Sequence, residues 1–282
     1  MKFKNNNLTR NIVYENCNYY SFQNDDFFEA QKNAGKCVRQ CLTETKLLIQ
    51  NSTELSGFDI KNLCAEIIKK NSCVPTFLNY SSNGKPPFPS EICVSVNKEL
   101  VHGIPSKEKF KNGDVIKIDL GATFENAIAD AASTFIFGQP RKQEHIELIQ
   151  TARKALKSAI SNIKIEKRFG TIGHSIYNVV KNSRFKVITD YGGHGISVKN
   201  GKGIPHAWPF ISNRSILNEG IRFSKGISFA IEPLLVCGTS NQTKLSEDQW
   251  TVLCDDVTAH EETTLSIDNY GNITNLVELE WR

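Results

Sequence analysis

The sequence contains no apolar run of the roughly 18 residues that a membrane-spanning helix requires. Its first ten residues are basic and rich in asparagine, but no apolar stretch follows them, so no secretory signal is expected. The formal net charge of +4 is small for 282 residues, and no nucleic-acid motif is present, which argues against a dedicated nucleic-acid-binding protein. We therefore expect a cytoplasmic protein that does not enter a membrane.

Paired cysteine motifs are also missing. Eight cysteines in 282 residues, none in a CxxC pair, are too few for a disulfide scaffold and predict reduced, mostly buried thiols. Cys37 and Cys41 lie four positions apart on a predicted helix, but no second pair follows to complete a zinc site.

Helices and strands are indicated by the spacing of apolar residues. Three- and four-residue spacings predict helices over about 26–50, 58–70, 143–163 and 171–182. Alternation and β-branched content predict strands at 92–96, 115–120, 129–135, 226–236, 250–253 and 262–267. The glycine-rich segment 192–203 is interpreted as a loop or a strand edge. Helices followed by strands, twice over, indicate an α+β protein with two halves.

No low-complexity linker interrupts the region from residue 26 onwards, so 26–282 is predicted to be one domain. Residues 1–25 are interpreted as an N-terminal extension that is flexible. The absence of an acidic residue before Glu15 leaves a role in organelle targeting open.

Two aspartates stand in apolar surroundings. Asp119 follows the strand-like segment 115–118, and Asp130 lies between alanines in the next strand. A tight turn at Glu125 and Asn126 would let the two carboxylates meet across antiparallel strands. Buried carboxylates repel each other and are costly to desolvate, and a shared cation is the usual remedy.

Three further groups match this chemistry. Glu232 lies inside an apolar strand, next to Pro233, which removes a ladder hydrogen bond there. Glu262 precedes another strand, and glycines on both sides of His194 leave room for a metal or substrate. An oxygen-rich set with one imidazole suits Mn, Fe, Co or Zn, and a pair of such ions can hold one hydroxide that attacks a carbonyl at neutral pH.

Several short segments, taken with their order and spacing, resemble the methionine aminopeptidases, type 1-like members of peptidase family M24. They are residues 75–80, 90–97, 102–105, 113–119, 193–196, 229–233 and 250–252. The resemblance covers about 26–276 and implies the pita-bread fold, in which two related αβ halves surround a dinuclear metal site. It also implies removal of the initiator methionine from nascent proteins when the second residue is small.

The resemblance assigns a role to each matching residue. Asp119 would bind one ion, Asp130 and Glu262 would bridge two divalent ions, and His194 and Glu232 would bind the other. Glu232 would also act as the general base. His102 and His206 would contact the scissile amide. The side chains that would wall the methionine pocket are Tyr80, Phe88, Cys93 and Trp250; for these, ordinary core packing is the alternative.

The sequence departs from the family pattern in several places, and one of them is a loop at 81–89 that is longer than usual. His206 follows His194 at a longer distance than is usual, and Pro205-His206-Ala207 replaces the usual aromatic-His-Glu. Near Glu262 the sequence reads His260-Glu261-Glu262 instead of Gln-aromatic-Glu; strand alternation points Glu261 away from the site, and His260 is expected to support the ligands rather than join them.

Two alternatives remain open. One is a relative of Xaa-Pro aminopeptidase or prolidase, which shares the ligand set. The other is a non-catalytic binding protein on the same fold, although such proteins lose metal ligands and here all five positions are filled. The expected partner is the N-terminal methionine of nascent polypeptides, with a ribosome contact left open, and the enzyme is expected to be a monomer.

Overall fold

The computed structural model describes residues 23–81 and 84–280, and in this part of the chain four helices pack on antiparallel β-sheets. The helices are α1 (Asp25–Asn51), α2 (Gly57–Lys70), α3 (Gln143–Ser161) and α4 (Gly170–Val180). The strands are β1 (Val74–Pro75), β2 (Cys93–Val96), β3 (Glu99–Val101), β4 (Val115–Phe124), β5 (Ala127–Ile136), β6 (Lys186–Val187), β7 (Gly192–Lys199), β8 (Lys202–Ser212), β9 (Ile227–Ile231), β10 (Leu234–Val236), β11 (Lys244–Leu245), β12 (Val252–Leu253), β13 (Thr258–His260), β14 (Thr263–Ile267) and β15 (Ile273–Asn275).

The first half of the domain places α1 and α2 against the sheet formed by β1, β4, β2 and β5. The helix starts are fixed by side-chain caps: Asn24 Oδ1 accepts a hydrogen bond from the Phe27 N–H, and Ser56 forms a capping box with Asp59. Apolar residues on the inner faces of both helices then pack on β4 and β5 and form one buried core.

The long strands β4 and β5 form an antiparallel hairpin that is central to the site. Glu125 and Asn126 join them and have φ angles of 45° and 68°, as a two-residue type I′ turn requires. The turn predicted at these two residues is therefore confirmed.

The second half places α3 and α4 against a five-stranded sheet in the order β15-β14-β9-β7-β8. It has its own buried core, which includes Phe169, Phe229 and Leu265. Two smaller sheets, β13-β10-β6 and β11-β12-β3, connect the halves. The predicted α+β class with two αβ halves is confirmed.

The prediction of a loop or a strand edge at 192–203 is confirmed for the turn at residues 200–201 and for the start of the edge strand β8. It was wrong for residues 192–199, which form β7 inside the sheet and pair with both β8 and β9. Glycine permits this position: a Cβ on Gly193 would collide with the carbonyl oxygen of Ala230 on β9, and one on Gly195 with that of Trp208 on β8. The glycines reflect close backbone approach within a strand, not a break in it.

The N-terminal extension predicted at 1–25 falls largely on residues 1–22, which lie outside the described residues. Gln23 donates its backbone N–H to the carbonyl oxygen of Gly226 at 2.9 Å, so the described chain joins the second half just before α1 begins. None of the helices described here is both long enough and apolar enough to span a membrane.

The close approach at Gly193 gives a stability prediction. Gly193→Ala is expected to lower the free energy of unfolding by about 1–3 kcal/mol, because the added methyl forces β7 away from β9. Urea unfolding followed by circular dichroism measures the change. Gly238→Ala, where the nearest atom to an added Cβ is the side-chain Cβ of Asp256 at 3.1 Å, is the matched control. Equal midpoints for the two variants would contradict the packing described for β7.

Candidate metal centre

Asp119 and Asp130 lie on neighbouring strands and share one face of the hairpin. In the register of β4 and β5, Asp119 pairs with Ala132 and Asp130 pairs with Gly121, so the two aspartates are diagonal neighbours. Both side chains are buried. The hairpin therefore places two carboxylates side by side in the interior, as their sequence spacing predicted.

The second half contributes two glutamates and a histidine. Glu232 lies between β9 and β10, where Pro233 interrupts the strand, and Glu262 lies just before β14. His194 lies on β7. Its Nε2 atom is 3.7 Å from Glu232 Oε1, 3.8 Å from Glu262 Oε1 and 4.0 Å from Asp130 Oδ2. The structure thus brings together all five side chains for which the sequence suggested a metal role.

Hydrogen bonds hold the two halves in register at this point. The Asp130 N–H donates to Thr264 Oγ1 at 2.8 Å, and the Thr264 hydroxyl donates to the Asp130 carbonyl oxygen at 2.7 Å. The Glu262 N–H donates to the carbonyl oxygen of Ala132 at 2.9 Å. Asp130 on β5 and Glu262 just before β14 are therefore fixed relative to each other through the backbone.

The carboxylates have strongly perturbed pKa values. Burial raises the pKa of Asp119 and of Glu262 well above the usual range, and the neighbouring carboxylates raise both further. Burial and the charge of Glu232 raise the pKa of Asp130 to about 8. Burial also acts to raise the pKa of Glu232, but His260 and His194 outweigh it and the net shift is downward. Without a cation, this cluster cannot ionise fully at neutral pH.

Several buried carboxylate oxygens of the cluster lack hydrogen-bond partners among the described residues, as ligands of a cation would. Asp119 Oδ1, Asp130 Oδ1 and Glu262 Oε1 are buried and have no hydrogen-bond partner among the described residues. His194 Nδ1 lies 3.2 Å from the Gly195 carbonyl oxygen, so a proton held there leaves Nε2 free as a ligand atom. Orphaned carboxylate oxygens and an oriented imidazole are a donor set for a divalent transition metal.

The cluster forms the floor of a cavity of about 320 Å³. His102 and His206 also line it. His206 Nδ1 lies 2.8 Å from the Tyr80 hydroxyl oxygen, and the His206 and His194 rings are 4.6 Å apart between centroids. Burial lowers the pKa of both His102 and His206 well below the usual range, so both imidazoles are neutral at pH 7.

One wall of the cavity is aromatic. Phe88 and Trp250 pack edge to face at 5.2 Å between ring centroids, and Cys93 lies beside them in the same buried cluster. The indole N–H of Trp250 donates to the Pro86 carbonyl oxygen at 3.1 Å. Together with Tyr80, all four side chains predicted for the pocket lie on this cavity.

Several lining residues were missed by sequence reasoning. Phe77 packs with the aromatic wall, Tyr191 faces the ring of His102, and Lys85 lies over the Trp250 ring at 4.6 Å. Phe77 falls within the segment that carried the family resemblance, so its position could have been inferred. No sequence signal marks Lys85, because a loop lysine is usually solvated.

Glu261 and His260 flank the glutamate that faces the site. Glu261 is fully buried on the opposite side, where it accepts hydrogen bonds from Arg153 Nε at 3.2 Å and from the Thr134 N–H at 3.1 Å. Strand alternation predicted this orientation. His260 points instead into the cavity beside Glu232 and Glu262.

Comparisons with known proteins agree with this geometry. The model for metallopeptidase family M24 matches residues 29–267. The chain is 36% identical over 253 residues to the methionine aminopeptidase of Mycoplasma capricolum, which covers 89% of this chain and 96% of that protein. It also resembles the crystal structure of the methionine aminopeptidase from Thermotoga maritima, with a TM-score of 0.82, 34% identity, and coverage of 92% of this chain and 99% of that one.

A more distant likeness concerns the fold alone. The prolidase from Pyrococcus furiosus matches 92% of this chain with a TM-score of 0.65, but the identity is 17% and the chain spans 66% of that protein. The expectation of a pita-bread fold is confirmed by the shared architecture of these structures.

The raised pKa values predict how stability depends on pH. An unfolded aspartate ionises near pH 4, whereas native Asp130 does so at about 8. In chelator the native state therefore retains more protons between these values, and its stability falls as the pH rises. At pH 8 Asp130→Asn is expected to raise the free energy of unfolding of the metal-free protein by at least about 1 kcal/mol.

Urea unfolding in chelator at pH 4 and pH 8 measures this difference. Asp255→Asn removes an exposed carboxylate outside the cluster and should leave stability unchanged at both pH values. The increase in the free energy of unfolding caused by Asp130→Asn should vanish at pH 4. If Asp130→Asn is less stable than the wild type at pH 8, the proposed electrostatic destabilisation by the carboxylate cluster is wrong.

Proposed function

The chain belongs to metallopeptidase family M24, and we propose that it removes the initiator methionine from polypeptides at the cluster described above. It is a metalloaminopeptidase: relatives that match most of its length at 33–36% identity are methionine aminopeptidases. The observation that supports the proposed site most strongly is the meeting of five potential ligands, from both halves, in a cavity that has one aromatic wall.

We propose that two divalent ions bind at this site, with Co, Mn, Fe or Zn as candidates. Asp119 would bind one ion, and His194 and Glu232 would bind the other. Asp130 and Glu262 would bind both ions. The ions supply Lewis acidity, which activates water and polarises a peptide carbonyl at neutral pH. The orphaned carboxylate oxygens on Asp119, Asp130 and Glu262 support this assignment.

Glu232 is the proposed general base. Its pKa lies below the usual range, because His260 and His194 outweigh the effect of burial, so its carboxylate is ionised at neutral pH and can accept a proton from the attacking water. The other three carboxylates of the cluster have raised pKa values, so Glu232 is the one of the four whose pKa is lowered. It later returns the proton to the leaving nitrogen.

His102 and His206 are proposed to orient the scissile amide. Both are neutral, so they act as hydrogen-bonding groups rather than as cations. If the Tyr80 hydroxyl donates to His206 Nδ1, the His206 proton resides on Nε2 and is available to the developing oxyanion or the leaving nitrogen. Tyr80 thereby couples the pocket wall to the catalytic imidazole.

The aromatic wall is proposed to bind the methionine side chain. Phe88, Trp250 and Cys93 offer an apolar surface with polarisable atoms, and a flexible thioether packs well against aromatic rings. Trp250 is held by its hydrogen bond to Pro86, so this wall is ordered before substrate arrives. Since the centre is complete within one chain, we propose a monomeric enzyme that acts on newly made chains in the cytoplasm.

The substrate class is tested with short peptides. The metal-depleted enzyme, restored with a panel of divalent ions, is expected to release methionine from Met-Ala-Ser. It is expected to leave Ala-Pro-Ser uncut, and also Xaa-Pro dipeptides other than Met-Pro. Chromatography of released amino acids measures both reactions. Faster cleavage of Xaa-Pro peptides than of Met-Ala-Ser would favour the prolidase alternative, and no cleavage with any ion would favour a non-catalytic binding protein.

Glu232 gives the sharpest mechanistic prediction. Glu232→Ala is expected to abolish methionine release, and Glu232→Gln to lower kcat by about 10²–10⁴-fold, because the proton acceptor is lost. Steady-state release from Met-Ala-Ser measures the loss. Glu66→Gln, an exposed position on α2, is the matched control. Near-normal turnover of a folded Glu232→Ala enzyme would exclude Glu232 as the base.

A further inference from the structure

His260 is a buried imidazole that lowers the pKa of Glu232 and otherwise takes no part in the proposed mechanism. It lies at the end of β13, opposite Leu234 of β10, and is 1% exposed. It borders the same cavity as the carboxylate cluster. The sequence suggested only a supporting role for it, since the family pattern has glutamine at this position.

The ring nitrogens of His260 are unsatisfied. Neither Nδ1 nor Nε2 has a hydrogen-bond partner among the described residues. Nε2 lies 3.5 Å from Glu232 Oε2 and 3.5 Å from Glu262 Oε2, distances too long for well-formed hydrogen bonds. A buried polar nitrogen without a partner is costly, so its orientation toward two carboxylates indicates a missing third participant.

The backbone holds His260 firmly in this position. Its N–H donates to Thr134 Oγ1 at 2.9 Å, and the Thr134 hydroxyl donates to its carbonyl oxygen at 2.7 Å. Thr134 lies on β5, four positions after Asp130. The strand that presents His260 is therefore tied to the strand that presents Asp130, and the imidazole is aimed before any ion binds.

The ligand atoms around His260 form a second group, which shares Glu262 with the group around His194. One ligand atom each from His260, Asp119 and Glu262 lie within 4.8 Å of one another, and one each from His194, Glu232 and Glu262 do the same. We propose that His260 Nε2 is a sixth protein ligand of the dinuclear centre and binds the ion on the Asp119 side. Each ion then has one imidazole: His194 for one and His260 for the other.

This inference rests on the proposed metal-dependent function. A neutral imidazole adds a nitrogen ligand without adding charge to a site already crowded with carboxylates. Nitrogen ligation on both sides would favour Fe, Co or Zn over ions that prefer oxygen. The competing role for His260 is a hydrogen-bond donor to Glu232 and Glu262, which a glutamine amide could also perform.

Proton NMR of the Co²⁺-loaded enzyme tests the proposal, because ring protons of histidines that ligate a paramagnetic ion are strongly shifted. The wild type should show two sets of shifted imidazole signals. His260→Gln should remove one set and His194→Gln the other. His174→Gln on α4, outside the cavity, is the matched control and should keep both.

Metal affinity provides the second readout. In calorimetric titration of the metal-free protein, His260→Gln is expected to weaken Co²⁺ binding by at least about tenfold, with circular dichroism in chelator showing that the variant folds. A wild-type enzyme with a single shifted set, lost in His194→Gln, would overturn the proposal for His260 while leaving the proposed function intact. A wild type that binds no Co²⁺ would overturn both.

Discussion

Four carboxylates buried in one place cannot all ionise unless a cation lies among them. Asp119, Asp130, Glu232 and Glu262 converge in the interior, and burial and mutual repulsion raise the pKa values of three of them. Such an arrangement destabilises the metal-free chain at neutral pH. The same carboxylates include oxygens that have no hydrogen-bond partner in the described part of the chain and are available to divalent ions.

The fold positions this cluster at the junction of its two halves. The hairpin of β4 and β5 supplies two aspartates from the first half, and the sheet of β7, β9 and β14 supplies the remaining groups from the second. Hydrogen bonds between Thr264 and Asp130 connect the halves directly at the ligands. A one-residue slip in any of these strands would turn its ligand away from the centre. Metal binding therefore requires the strand register that the structure shows.

Much of this architecture could be predicted from the sequence, for physical reasons that differ along the chain. The aspartate pair and its turn followed from carboxylates in apolar strands joined by Glu125 and Asn126, which is a local pattern. The strand β7 was not predicted, because glycine lowers strand propensity and the need for close approach to β9 is visible only in three dimensions. The environment of His260 depends likewise on long-range packing. Assigning roles to the convergent side chains rested on the family resemblance, since spacing alone does not distinguish a bridging ligand from a terminal one.

The central claim is that these side chains bind a pair of divalent ions. Equilibrium dialysis of the metal-free chain against Co²⁺ or Mn²⁺, followed by elemental analysis, counts the bound ions directly. The account predicts two ions per chain at saturation, with a marked loss of binding in Glu262→Gln, because Glu262 is proposed to contact both. A metal content no higher than that of the surrounding buffer would contradict it.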